Sequence, residues 1–282
     1  MSHDVPISAP RLRAPAGACD THMHVYEPGY PVRTQGSFPA RSATLADYLR
    51  VKQRLGLART VVVQAGAYGT DNRCALDAMA RLGRDARGVA IVDPGAPEAE
   101  IERLSKLGMR GIRYHMVRSP TLSWESLPEM AARVAAFGWH AQVQCEPHEI
   151  AEREKMLAGL PCDLVIDHVA RMHPPLAHGD AGWRVLRALV DRGRCWVKLS
   201  APYHGSRSGP PDYADVGALA KELVRAAPER MLWATNWPHP SVAENPPDDA
   251  GLLDLLAEWA PDEAATHKIL VFNPARLYGF PV

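Results

Sequence analysis

Short apolar, often β-branched runs alternate along the chain with longer stretches whose apolar residues recur every three to four positions. These are the periods of strand and helix. Runs at 18–24, 60–64, 88–93, 109–115, 139–144, 163–168, 195–200 and 231–236 read as eight strands. Helical periodicity falls between them at 45–55, 74–82, 97–107, 124–137, 150–157, 182–189 and 213–226, then again at 251–259 and 262–271. Eight strands with interleaved helices predict an α/β fold, a single parallel (β/α)8 barrel. The Pro/Ala/Arg-rich residues 1–17 predict a loosely held arm, with residues 18–282 forming the barrel domain. A doubly wound open sheet is the alternative. It requires a glycine-rich phosphate turn after the first strand, and Cys-Asp-Thr-His-Met-His-Val-Tyr at 19–26 contains no glycine.

Residues two apart on a strand share a face. That rule groups Asp20, His22 and His24 on the first strand, Arg113 and His115 on the fourth, and Gln142 and Gln144 on the fifth. It puts His168 in line with Leu164 and Ile166, pairs Lys198 with Ser200, and aligns Asn236 with Leu232 and Ala234. In each case polar residues stand at the carboxyl end, where barrels of this kind gather their reacting groups. Two imidazoles spaced by two suggest a metal site, whose further ligands are commonly another His and a carboxylate. Here the fifth strand offers only glutamines and the eighth an asparagine, and an amide is a poor zinc ligand that cannot act as general base. A metal held by His22, His24 and His168 stays open. The competing reading has these histidines donating hydrogen bonds to a substrate carbonyl. Arg113, Arg118, Arg171, Lys198 and Arg207 fall on or just after strand ends, where a guanidinium fork suits a substrate carboxylate or pairs with a loop acid. Tyr203, His204 and Ser206 on the seventh loop offer polar contacts, or simply order that loop.

Composition narrows the partners. With 46% hydrophobic residues the chain can build a large core, and 32 basic against 32 acidic residues leave no net charge. That balance argues against nucleic-acid binding and against a polybasic membrane anchor. No apolar run approaches the ~18 residues of a membrane span, and the start lacks the pattern of a signal peptide. Five scattered cysteines without a CxxC pair read as reduced core residues of a cytoplasmic protein. Trp124, Trp183 and Trp259 on helical patterns suit either the core or the interface of a homo-oligomer.

Several blocks resemble the amidohydrolase superfamily: Ala-Cys-Asp-Thr-His-Met-His at 18–24, Gly-Thr-Asp-Asn-Arg at 69–73, Arg-Gly-Ile-Arg at 110–113 and Val-Ile-Asp-His at 165–168. So do Trp-Val-Lys-Leu-Ser at 196–200, Trp-Ala-Thr-Asn-Trp-Pro-His-Pro at 233–240 and Asn-Pro-Ala-Arg-Leu-Tyr-Gly-Phe at 273–280. In order, and over nearly the whole chain, they are similar to the branch containing pyrone dicarboxylate lactonase and galactarolactone isomerase. The resemblance implies a distorted (β/α)8 barrel acting on carboxylate-bearing cyclic esters with no metal or other cofactor. The lactonase pattern has Asp, the water-activating base, where this chain has Asn236, and Tyr where it has Gln144. Gln144, Asn236 and the Tyr203-x-x-Ser206-Arg207 loop lie nearer the isomerase, whereas His22 departs from the isomerase's Gln. Those departures argue against pyrone dicarboxylate itself as substrate.

The expected function is therefore hydrolysis of a small acidic lactone derived from a sugar acid or an aromatic compound. His22, His24 and His168 would polarise the carbonyl. Arg113, Arg118 and Arg207 would hold carboxylate, assisted by Lys198, Gln144 and Tyr203. His239 or His115 would serve as base beside Asn236. Isomerisation between lactone ring sizes is the close alternative, because its nucleophile is already held on the substrate. A metal-dependent hydrolase or decarboxylase and a non-catalytic binding barrel are the remaining readings.

Overall fold

The computed structural model describes residues 9–33, 43–117, 120–176 and 179–281. Its strands are β1 (Cys19–Met23), β2 (Arg59–Val63), β3 (Ala86–Ala90), β4 (Met109–His115), β5 (His140–Gln144), β6 (Leu164–Ile166), β7 (Cys195–Leu199) and β8 (Met231–Trp233). They lie side by side in chain order, all parallel. The ring closes where Asn236 N–H donates to His22 O (2.9 Å) and His24 N–H donates to Trp237 O (2.8 Å). The sequential order and this closure give the barrel and remove the open sheet. Among the described residues no helix is long and apolar enough to cross a membrane.

Helices cover the outside, and each shows its apolar stripe to the strands. The first is α1 (Leu45–Leu55), which starts on a reciprocal cap between Thr44 and Asp47 and ends at Gly56 in the left-handed region. After it come α2 (Arg73–Leu82), α3 (Glu98–Lys106) and α4 (Leu127–Ala135). The pattern at 150–157 is two short helices, α5 (Pro147–Glu152) and α6 (Glu154–Ala158), broken at Arg153. Next are α7 (Ala181–Asp191), α8 (Ala214–Ala226) and α9 (Asp249–Trp259). The pattern at 262–271 becomes α10 (Glu263–His267) and a wider turn over Lys268–Phe272, which runs into α11 (Asn273–Tyr278). In the N-terminal segment Leu12 N–H donates to Asp254 Oδ1 at 2.8 Å, and Arg11 pairs with the same carboxylate.

The core divides in two, as a closed barrel requires. Val62, Ala90, Ile112, Val143, Leu164, Ile166 and Val197 face the helices. Val61, Val63, Val89, Val165, Trp196 and Leu232 face inward and pack on Ala275, Tyr278 and Phe280. Above this apolar layer the inward positions turn polar. His140 lies so close to β4 that a Cβ on Gly111 would stand 2.5 Å from its ring, so only glycine fits there.

β4 carries a register shift at its start (Gly88↔Met109, then Val89↔Gly111), below the site, and two further strands break the simple alternation at the site itself. On β1 the register runs Asp20↔Thr60 and then Met23↔Val62, three steps against two, which is a bulge. As a result Asp20 does not share a face with His22 and His24. It turns outward, accepting from Tyr48 Oη (3.0 Å) and Thr235 Oγ1 (2.6 Å), and burial raises its carboxyl pKa to about 6. On β6 the inward residues are Val165 and Asp167; Leu164 and Ile166 face outward. His168 reaches the interior by another route, a left-handed turn in which His168, Val169, Ala170 and Arg171 have φ of 57, 50, 54 and 53°. Such a run of non-glycine residues costs about 1–2 kcal/mol per residue and marks a functional site more often than a scaffold.

Candidate active site

The inward polar residues form two hydrogen-bonded networks at the carboxyl end of the barrel. The first is centred on Lys198, which is fully buried. Its ammonium donates to Gln142 Oε1 (2.7 Å), Thr21 O (2.9 Å) and His22 Nδ1 (3.2 Å), and lies 3.5 Å from Asp167 Oδ1. Gln142 Nε2 donates to Asp167 Oδ2 at 3.0 Å. Burial opposes ionisation of Asp167, yet the surrounding positive groups, Lys198 foremost, outweigh it and hold the carboxyl below its usual range. Burial lowers Lys198 to about 8.

The tautomers follow from the partners. His24 Nδ1 faces Val63 O at 2.8 Å, and a carbonyl can only accept, so that nitrogen carries the proton. His24 Nε2 is then an acceptor, and His22 Nε2–H, 3.2 Å away, donates to it. His22 Nδ1 in turn accepts from Lys198. Burial pushes both histidines well below their ordinary pKa, so the 3.3 Å approach of His22 Nδ1 to Asp167 Oδ1 is not an ion pair; the Lys198 ammonium serves both atoms. Both ring N–H groups are thus already committed. His168 is different: its Nδ1 meets Ser200 Oγ at 2.8 Å, and its Nε2 has no protein partner among the described residues.

His22, Asp167 and His168 each offer a ligand atom within 4.8 Å of the others, the spacing of a metal site. The chemistry of the donors does not fit one. Asp167, the single carboxylate of the three, already balances the Lys198 ammonium 3.5 Å from it, so a dication would add two buried positive charges that no further carboxylate of the set offsets. Placing the ion between the two Nε2 atoms instead requires His22 to carry its proton on Nδ1, pointing at that same ammonium.

The second network lies across the mouth, after β7 and β8. Asn236 Nδ2 donates to Tyr203 Oη at 2.9 Å, and Tyr203 Oη is 3.1 Å from His239 Nδ1. His239 Nε2 is 3.0 Å from Asp249 Oδ1 at the start of α9. His239 is only 2% exposed with both ring nitrogens engaged, so it meets the site through Tyr203 and not directly. A cavity of about 580 Å3 opens beside Tyr203 between the two loops, bordered by Ser206, Tyr213 and Pro240.

Arg113 is 5% exposed; its Nη1 donates to Gln64 O (2.6 Å) and its Nη2 lies 3.4 Å from Gln144 Oε1. Its Nε is buried with no partner among the described residues, so the guanidinium is only partly satisfied by the protein. Arg171 is not free, since Glu146 takes its Nε at 2.9 Å. Arg207 is exposed, on a loop pinned by Asp215, and stands outside the buried set. Arg118 lies outside the described residues. His115 and His204 are half-buried; the His204 ring centroid is 5.1 Å from that of His168, and burial with Arg113 lowers His115 to about 3. Asp167, Asp249 and Glu146 are the site residues that strand-end reading missed. Counting parity from Val165 finds Asp167, but no local signal marks Asp249.

The chain is similar to known proteins over nearly its whole length. The family profile described as amidohydrolase matches residues 19–280. The chain is 35% identical to a 2-pyrone-4,6-dicarboxylate hydrolase of Comamonas testosteroni over 96% of its length and 93% of the relative's. It is also 35% identical to a D-galactarolactone isomerase of Agrobacterium fabrum, covering 96% and 94%. An apo crystal structure from Agrobacterium tumefaciens superimposes with a TM-score of 0.89 at 35% identity, over 97% of this chain and 99% of that one. The profile match and these identities, over nearly the whole length of the fold described above, show that the chain belongs to the amidohydrolase family.

Proposed function

We propose that the protein opens the cyclic ester of a small lactone bearing at least one carboxylate, by hydrolysis and without a metal ion. The observation that carries this is Arg113, a buried guanidinium with no carboxylate in ion-pair contact among the described residues and its Nε unpaired. Burying such a charge is costly unless a bound anion completes it. Relatives in both directions act on lactones, one hydrolysing a pyrone dicarboxylate and one isomerising galactarolactone.

In this reading the substrate carboxylate lies against Arg113 and Gln144. His168 Nε2 and the positive field of Lys198 face the ester carbonyl and stabilise the alkoxide formed on attack. His22 and His24 set the position of Lys198 rather than donate themselves. Arg207, on its exposed loop, would meet a second carboxylate further out, a role that Arg118 is proposed to share. A homo-oligomer and a cytoplasmic setting remain part of the proposal.

Isomerisation is the second reading, and Asn236 favours it. An amide orients a nucleophilic hydroxyl but cannot take its proton, which handicaps water more than a hydroxyl already tethered to the acyl group. Incubation with galactarolactones and other acidic lactones, followed by NMR, separates the two. Ring-opened acid is the expected product; a lactone of changed ring size establishes isomerisation, and no conversion of any acidic lactone refutes both.

A further inference from the structure

From the second network we infer that Tyr203, backed by His239 and Asp249, is the proton acceptor that Asn236 cannot be, with Asp249 as the positioning residue that sets its direction. The inference rests on the lactone reading above.

The direction follows from which atoms can donate. An ionised carboxylate only accepts, so Asp249 fixes the His239 proton on Nε2 (3.0 Å). Neutral His239 then presents a lone pair at Nδ1, and the Tyr203 hydroxyl, 3.1 Å away, must donate to it. Asn236 Nδ2–H takes one lone pair of Tyr203 Oη at 2.9 Å. The other lone pair is left for an incoming O–H. The Asn236 amide, with its nitrogen turned to Tyr203, is held where β8 meets β1 by its backbone bond to His22 O. The whole chain therefore runs from a carboxylate at a helix start to the mouth of the barrel through three ordered hydrogen bonds.

The step balances without an outside reagent. The attacking hydroxyl, from water or from the substrate, gives its proton to Tyr203 Oη while the Tyr203 proton passes to His239 Nδ1. The new O–C bond forms at the ester carbonyl, whose π pair moves to oxygen. On collapse the ring C–O bond breaks, and the departing oxygen takes a proton from Tyr203, which recovers its own from His239. Asp249 faces the imidazolium in between. Burial raises the Tyr203 hydroxyl far above its ordinary pKa, so Tyr203 passes protons in concert and does not stand as phenolate.

Asp249→Asn tests the direction. An asparagine can donate its amide N–H to Nε2, which moves the ring proton to Nδ1 and reverses the His239–Tyr203 bond with little change of shape. The expected result is a fall in kcat of about 10²-fold with KM nearly unchanged, and a smaller solvent isotope effect. Tyr203→Phe should give a similar loss, and the double variant should be no worse than Tyr203→Phe alone, since both break one relay. A kcat within twofold of the parent in Asp249→Asn, or losses that multiply, overturns the relay. The ¹⁵N spectrum of the histidine rings reads the tautomer without substrate. His239 is expected as the Nε2–H form, switching to Nδ1–H in Asp249→Asn, and an Nδ1–H form in the parent overturns the inference. A parent protein inert to every lactone but with the expected tautomer refutes the function proposed above and leaves the relay's direction upheld.

Discussion

The two polar networks at the barrel mouth each contain one buried carboxylate, and they use it in opposite ways. Asp167 lies 3.5 Å from a lysine in the middle of the barrel and is held ionised by it. It neutralises a fixed charge and has little tendency to take a proton. Asp249 pairs with no lysine or arginine among the described residues; its partner is His239, 3.0 Å away, which hands on the effect through Tyr203. A carboxylate paired to an ammonium builds a permanent field, whereas one paired to an imidazole gates a mobile proton. The same residue type thus carries structure in one network and chemistry in the other.

If that contrast holds, Asp167→Asn should be the most damaging single change. It leaves the Lys198 ammonium buried without its counter-charge, a loss of about 3–5 kcal/mol. The denaturant midpoint should fall accordingly, whereas Asp249→Asn should shift it far less. Equal destabilisation by the two variants would erase the distinction.

Lys198 offers a finer cut. With its pKa lowered to about 8, the ammonium facing Asp167, His22, Gln142 and Thr21 O is charged at neutral pH and lost in mild alkali. The rate should therefore fall about tenfold per pH unit above pH 8. Unfolding is not the cause. Between about 8 and 10.5 the unfolded chain binds a proton at Lys198 that the folded chain has released, so this group's contribution to stability rises with pH in that window. A rate unchanged from pH 7 to 10 would remove the Lys198 charge from the reaction.

How much of this was legible beforehand depended on whether each strand kept its period. On β5, β7 and β4 from Gly111 onward the alternation is unbroken, and counting by twos finds Arg113 with His115, Gln142 with Gln144 and Lys198 with Ser200. On β1 one extra residue reverses the faces, so Asp20 is grouped with histidines that it does not join. On β6 the strand stops at Ile166 and a left-handed turn brings His168 round beside Asp167, though a regular strand would hold them on opposite faces. Period-based reading carries no information about either departure. Asp249 failed for another reason: it stands ten residues past His239, at the start of a helix, and only the folded loops bring the two together. The barrel rests on repetition and is readable, while the site rests on its interruptions.

The left-handed turn leads to the smallest effect. His168 is held twice, by the backbone run at φ near 50–57° and by Ser200 Oγ at 2.8 Å from its Nδ1. If the backbone does most of the aiming, Ser200→Ala removes one hydrogen bond worth about 1 kcal/mol and leaves the ring in place. A loss of roughly fivefold in kcat with unchanged KM is then expected. A loss of 10²-fold or more would show that the hydroxyl, and not the strained turn, orients His168. Lys198 and Asp167 need no such turn, because extended backbone already aims them, whereas His168 reaches the site only through the left-handed run that follows Asp167.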